Sequence, residues 1–438
     1  MKVLLINKFF FPLGGTEKYL FDLRQALLQL GHKVAEFSMQ HPENRPSPYA
    51  DYFAPELNLD PLALDFRSKA GLGLQVIYSR PAERSLTRLL RDFRPDLAHL
   101  HNIHYQLTPS ILFALRRARV PIVWTLHDLH LVCPSHIMYH HESGGPCEAC
   151  RGRKFYMAAA RRCIKNSALA GLAGAVEGHL YSALGVYRRW VDLYLAPSRF
   201  LRDLMVAEGL PANRIVYLPN YTEPDRTRAQ SEGEGYGLYA GRLSREKGVL
   251  TLLRALAKVP DLPFYFLGIG PLALQLRREA DELGLKQVKF LGFQHGASLE
   301  RLRRKASFVV APSECYENCP FAVLEAFAAG KAVLASRIGG IPELVREGVT
   351  GRLFPPGDVE ALAAGLRDFI GHPREVEAWG RKALRVAESE YTFPLHLQLL
   401  LGLYQRASGK SFMGKGVGEP CPSATRFLPS ATDAMRAA

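Results

Sequence analysis

Short apolar runs alternate with helix-period segments twice along the chain, and each series predicts parallel strands that are buried on both faces and joined by crossover helices. In the first series the runs are Lys2 to Phe10, Lys33 to Met39, Asp96 to Asn102, Pro121 to His127, Val191 to Ala196 and Ile215 to Leu218. After the first run Gly14 and Gly15 make a turn, and Leu20, Leu23, Leu27 and Leu30 then recur every three or four residues until Gly31 stops the helix. The second series has runs at Tyr236 to Ala240, Phe264 to Leu267, Val288 to Leu291, Phe308 to Ala311, Ala332 to Ala335 and Gly351 to Phe354, with helices such as Gly248 to Lys258 between them. The pattern predicts an α/β protein of two doubly wound halves.

Residues 221–235 are polar and rich in Arg, Glu and Gly, which predicts a linker between a domain at 1–220 and one at 236–388. From Gly409 to Ala438 periodicity fades and Gly, Pro and Ser accumulate, which predicts a disordered tail. The apolar start, Met1 to Phe11, is interrupted by Lys8 and reads as a strand rather than a signal peptide. Asn166 to Tyr187 is the most lipid-like stretch, but Glu177, His179 and four glycines argue against a membrane span.

Composition adds three constraints. With 47% hydrophobic and 22% charged residues the chain is neither disordered nor fibrous. A formal charge of +14 favours an anionic partner, whether phosphate, nucleotide or acidic lipid. Seven cysteines in a chain read as lacking a signal sequence predict a reducing, cytosolic compartment.

Several stretches could carry chemistry. In Glu317 to Glu325, Pro320 opens a helix at its first position, Glu325 lies more than a turn in, and free N–H groups at the helix start would hold a diphosphate. The same spacing also fits two carboxylates on a solvated face. Gly241 to Gly248 follows a strand and precedes a helix, so Arg242 and Lys247 stand at a strand's carboxyl end, where phosphates bind, or in an ordinary charged loop. The loop lacks the paired glycines and Lys-Ser or Lys-Thr ending of a Walker sequence. Gly14-Gly15 permits close backbone approach or marks a plain turn. His127-Asp128 ends a buried run at the sheet edge, and His99, His101 and His104 either line an acceptor pocket or cap the neighbouring strand.

Together Gly14-Gly15-Thr16-Glu17, Thr125 to Asp128, Gly241 to Lys247, Glu317 to Glu325 and Gly339-Gly340-Ile341-Pro342-Glu343 resemble the family 4 retaining glycosyltransferases over residues 1 to about 405. The resemblance implies the GT-B fold: two facing Rossmann-like domains with an inter-domain cleft, the first on the acceptor side. It also implies that a final helix, 389–408, returns to the first domain, as the leucines at 395, 399 and 403 would allow. Carried onto this sequence, Arg242 and Lys247 would hold the donor diphosphate and Glu325 the ribose. Glu317 would contact hydroxyls of the transferred sugar. Backbone groups of Asn318, Cys319, Pro320 and Phe321 would assist, and Gly15 would approach the phosphate. His127 would lie near the reacting carbon, with Gly14, Asp128 and His101 on the acceptor side. The implied reaction is a metal-independent, retaining transfer of a hexosyl group. It runs from a nucleotide diphosphate sugar to a carbohydrate or lipid-linked acceptor, in cell-surface polysaccharide or glycolipid synthesis, without nucleic acid. The rival readings are a catalytically silent module binding nucleotide or an anionic polymer, and a GT-B sugar epimerase.

Two features lie beyond the family pattern. Cys133, Cys147, Cys150 and Cys163, in an insertion at about 130–165, number the ligands of a structural zinc or iron–sulfur centre, or are separate buried thiols. The arginines at 80, 84, 88 and 91, and a basic cluster from Arg151 to Lys165 ahead of the lipid-like stretch, either meet an anionic membrane at its inner face or are solvated surface.

Overall fold

The computed structural model describes residues 1–57, 73–224 and 233–410. Among these, twelve parallel strands form two six-stranded sheets. The first contains β1 (Lys2–Ile6), β2 (Lys33–Phe37), β3 (Leu97–Leu100), β4 (Ile122–Thr125), β5 (Leu193–Ala196) and β6 (Ile215–Tyr217), in the order β2-β1-β3-β4-β5-β6. The second contains β7 (Gly237–Ala240), β8 (Phe264–Leu267), β9 (Val288–Phe290), β10 (Phe308–Ala311), β11 (Val333–Ser336) and β12 (Gly351–Phe354), in the order β12-β11-β10-β7-β8-β9. Eleven of the expected runs contain their strand, and β11 lies one residue later than expected. Chain order reverses between β1 and β3 and between β7 and β10, so ligand crevices open beyond the carboxyl ends of those four strands.

The strands are nearly continuous apolar runs because helices cover both faces of each sheet. Helix α1 (Gly15–Gln29) buries Tyr19, Leu20, Leu23, Ala26 and Leu27; Leu30, expected on that stripe, is the cap residue and is 44% exposed. Helix α2 (Arg80–Phe93) turns Leu86, Leu89, Leu90 and Phe93 into the core. Helix α3 (Ala168–Ala183) and helix α4 (Arg199–Ala207) follow, the latter capped by Ser198. Strand β1 ends at Ile6, short of the expected Phe10, because the Asn7 side chain turns to the Phe9 carbonyl and to Glu17.

In the second half the expected helix from Gly248 runs over Val249–Leu256, and Pro320 caps helix α5 (Phe321–Ala328) from outside its first turn. Helix α6 (Phe393–Ser408) packs Leu395, Leu399, Leu400, Leu403 and Tyr404 with Val3, Leu5 and Val123 of the first sheet. Each leucine so buried contributes about 2 kcal/mol. The expected linker overlaps residues 225–232, and most of the expected tail is 411–438; both lie outside the described residues. Among the described residues no helix is long and apolar enough to cross a membrane.

Candidate active site

The loop after β7 is pressed onto the end of β10. Gly248 has φ +68, and a Cβ there would stand 1.8 Å from the Pro312 carbonyl oxygen, a place only glycine can occupy. The Glu246 carbonyl accepts the backbone N–H groups of Glu314 and Cys315 at 2.9 and 3.2 Å. This contact delivers Lys247 onto Glu317, Nζ to Oε1 2.6 Å, where the Ser313 hydroxyl also donates at 2.7 Å. Burial works to raise the Glu317 carboxyl, but Lys247 and the two hydrogen bonds outweigh it and hold the group below its ordinary range. Burial likewise opposes the Lys247 charge and Glu317 overcomes it, so both partners are ionised at neutral pH. Arg242 is exposed and, among the described residues, forms no ion pair. Glu325 sits in the second turn of α5, 2.7 Å from Arg303.

Across the cleft, Gly14 caps α1 and both loop glycines are exposed. His127 Nε2 lies 2.9 Å from His101 Nδ1. Burial lowers His127 to about 4, against the pull of Asp128, so the imidazole is neutral near pH 7. Burial would raise Asp128, yet His136, His130 and His104 hold it at about 2. Lys8 faces Asp128 and Glu17, and its own burial lowers its pKa. His99 bonds Tyr404 of α6 at 2.6 Å and Thr125 at 2.7 Å, which makes it a tie between the first sheet and the last helix rather than a pocket wall.

The halves meet through these same loops. Asn318 Nδ2 donates to the Leu126 carbonyl at 3.2 Å, immediately before His127, and Asn220 Nδ2 donates to the Cys319 carbonyl at 2.8 Å. A Cβ on Gly15 would stand 2.7 Å from Phe321 Cδ2, and one on Gly340 would stand 1.8 Å from the Asn318 carbonyl oxygen. Glu343 accepts the N–H groups of Arg199 and Phe200 at 2.8 and 2.6 Å, so a carboxylate of the second half caps helix α4 of the first. Gly14, Gly15, His127, Asp128, Lys247 and Glu317 to Phe321 thus converge on one region. Two expectations change. Pro320 has no N–H to donate, and His101, 1% exposed, reaches the cleft only through His127.

Sequence patterning missed Lys8, Ser313 and the function of Glu343, each of which is legible only once its loop is folded. It also missed a buried network below the His127 loop. His130 bonds Glu177 at 3.1 Å and His136 at 3.0 Å, and its ring stacks 3.5 Å from that of His104. His104, His130 and Glu177 are the one group among the described residues whose metal-ligating atoms all lie within 4.8 Å of one another. The two rings lie 25° from parallel, so their in-plane lone pairs do not converge well on a common point.

The family model for glycosyltransferase family 4 matches residues 13–226, and that for glycosyl transferases group 1 matches residues 222–386. A D-inositol 3-phosphate glycosyltransferase of Mycolicibacterium paratuberculosis is 34% identical over 320 residues, 71% of this chain and 67% of that relative. The chain belongs to glycosyltransferase family 4. Other curated relatives are matched over a smaller part of their length, 44% for the sulfoquinovosyl transferase of Arabidopsis thaliana, at 31% identity over 48% of this chain. HepE of Anabaena, solved with UDP and glucose, superposes with a TM-score of 0.65 at 19% identity over 93% of this chain and all of that one. Sucrose-phosphate synthase of Thermosynechococcus elongatus gives 0.67 at 20% identity over 92% and 98%. These neighbours establish the GT-B fold of the family 4 chain.

Proposed function

We propose that this family 4 chain is a metal-independent, retaining transferase that moves a hexosyl group from a nucleotide diphosphate sugar to a carbohydrate or lipid-linked acceptor. The carrying observation is the Lys247–Glu317 pair, beyond the β7 and β10 switch point of the second sheet, brought by Asn318 against the His127 loop that follows β4. In this reading Lys247 and Arg242 neutralise the diphosphate as the bond from its oxygen to the anomeric carbon breaks. The leaving phosphate oxygen takes the acceptor's proton while the new bond forms on the same face of the sugar. Glu317 accepts hydrogen bonds from donor-sugar hydroxyls, and the neutral His127 imidazole lies beside the reacting carbon. Glu325, steadied by Arg303, takes a ribose hydroxyl. We place the reaction in the cytoplasm at the inner membrane face, within polysaccharide or glycolipid synthesis.

We also read Cys133, Cys147, Cys150 and Cys163 as a structural zinc set. The Cys150 thiol holds that of Cys133 below its ordinary range, and since no three of the four sulfurs lie within 4.8 Å of one another, binding would draw them together.

Melting temperature measured against uridine, guanosine and adenosine diphosphate sugars, with chelator present, tests donor binding. A rise with one nucleotide class is expected, and the uridine class is the first to try given the HepE complex. Glu317→Ala is expected to abolish transfer while nucleotide binding largely survives; near-normal turnover in that variant would sink the assignment. Binding without transfer by the unaltered chain would favour the silent module, and a new sugar nucleotide formed without acceptor would favour an epimerase.

A further inference from the structure

Helix α3 is built inside out. Its one carboxylate, Glu177, is 2% exposed, whereas Leu169, Leu172, Val176 and Leu180 are 71%, 51%, 43% and 38% exposed. Those four recur every three or four residues and form one stripe, which Leu184, just past the helix end, prolongs. Besides Glu177 and Tyr181, the buried face is made of the small residues Gly171, Gly174 and Ala175. A Cβ on Gly171 would stand 2.4 Å from the Ala158 carbonyl oxygen, and one on Gly178 would stand 2.9 Å from the Phe155 ring. Rotation cannot hide the leucines, because Glu177 is fixed by His130 Nε2 at 3.1 Å and the Tyr187 hydroxyl at 3.1 Å. Turning the stripe inward would break both bonds and pull the carboxylate out.

Charge identifies what covers the stripe. From Lys154 to Arg189 the chain carries Lys154, Arg161, Arg162, Lys165, Arg188 and Arg189 against Glu177 as its sole acid, and all six basic residues are exposed. They flank the stripe at both ends, and Tyr156, 56% exposed, stands beside the first group. An apolar stripe with basic ends and no exposed acid complements an anionic bilayer.

We propose that α3 is an interfacial helix whose leucine stripe enters the headgroup boundary of an anionic lipid bilayer while the flanking basic residues meet the headgroups. Glu177 ties this helix through His130 to the loop of His127 and Asp128, since the His130 N–H donates to Asp128 at 3.0 Å. The bilayer therefore lies next to the acceptor side of the cleft; that consequence rests on the transferase reading, whereas the docking does not.

Co-sedimentation of the full chain with vesicles of phosphatidylglycerol and phosphatidylcholine, against phosphatidylcholine alone, tests the proposal. The chain should pellet with the anionic vesicles and be released by salt. Leu172→Ser with Leu180→Ser should weaken partitioning on the order of tenfold per leucine. Lys154→Glu with Arg162→Glu should weaken it by about fivefold or more per residue. All these positions are exposed, so an unchanged melting temperature and an unchanged shift with nucleotide sugar certify the fold and keep this result separate from the fate of the transferase reading. An unaltered chain that stays in the supernatant with anionic vesicles, or a leucine variant that pellets as the parent does, would overturn it. So would a solution dimer that the leucine variant dissociates without any vesicle binding, because the stripe would then be covered by a second copy.

Discussion

Gly15 acts through the side chain it lacks. Phe321, from the start of α5, packs against the core of the first half, and its ring fills the space where a Cβ on Gly15 would be, 2.7 Å from Cδ2. Gly15→Ala must displace either the ring or the start of α1, overpacking that costs about 1–3 kcal/mol. Because both loops border the proposed donor site, the expected outcome is a raised donor KM together with the stability loss, and Gly15→Ala with Phe321→Leu should recover part of both. Steady-state kinetics and melting on the two variants check this; a single variant with parental kinetics would mean the two loops separate freely. The glycine pair was visible in the sequence, but its reason was not. Contact with Phe321 joins two domains, and no local spacing encodes it. The same holds for Lys247 and Glu317, whose loops the sequence assigns to the donor diphosphate and the transferred sugar, while nothing in it shows the 2.6 Å pair between them.

At the scale of elements, what was legible followed from periodicity. Buried parallel strands are apolar on both faces, so each run declared itself, and errors fell at the ends, where one side chain such as Asn7 diverts the backbone. The cysteine loop is the opposite case. Between Cys133 and Cys163 the one α-helix is Met157–Ala160, non-glycine residues with positive φ stand at 136, 138, 153 and 162, and beyond Cys133, Met138 and Tyr139, buried at its start, the local core is Cys150, Phe155 and Ala158 with Ala175. Residues 140–163 bury little apolar surface of their own, and zinc drawing the four thiols together would hold them. The chain purified without chelator is expected to carry about one zinc per molecule by elemental analysis. Cys147→Ser with Cys150→Ser should lose it and make residues 133–163 the first site of limited proteolysis. Metal-free parental protein with equal protease resistance would refute the zinc.

The molecule as a whole is fastened by neutral histidines. Helix α6 is docked through His396, which bonds the Tyr19 hydroxyl at 2.8 Å and the Pro219 carbonyl at 2.8 Å, and through Tyr404 on His99. Burial lowers His104, His127 and His396 each to about 4, and His99, His101 and His136 also lie well below their ordinary value. A histidine buried neutral binds its proton in the unfolded chain from about pH 6.5 but in the folded chain only near pH 4. Stability is therefore level above about pH 6.5 and falls as pH drops through that window, by up to about 3 kcal/mol for each of the three groups near 4. Carboxylates do not confuse the signal. Glu317, Glu177 and Asp128, all depressed, keep their contributions above the ordinary carboxylate range and lose them as pH falls from about 4.5 through their folded values, so above pH 5 the decline belongs to the histidines. Since a domain's whole stability is about 5–15 kcal/mol, the three together are enough to unfold it. Urea midpoints measured from pH 8 downward should hold steady, then decline below pH 6.5, with cooperative unfolding between about pH 4 and 5. His396→Asn, which keeps a polar side chain but removes one titrating group, should flatten the decline while lowering the plateau. A midpoint that stays constant down to pH 4.5 would show that these imidazoles are charged or solvated in the folded chain, and that α6 is held by its leucines alone.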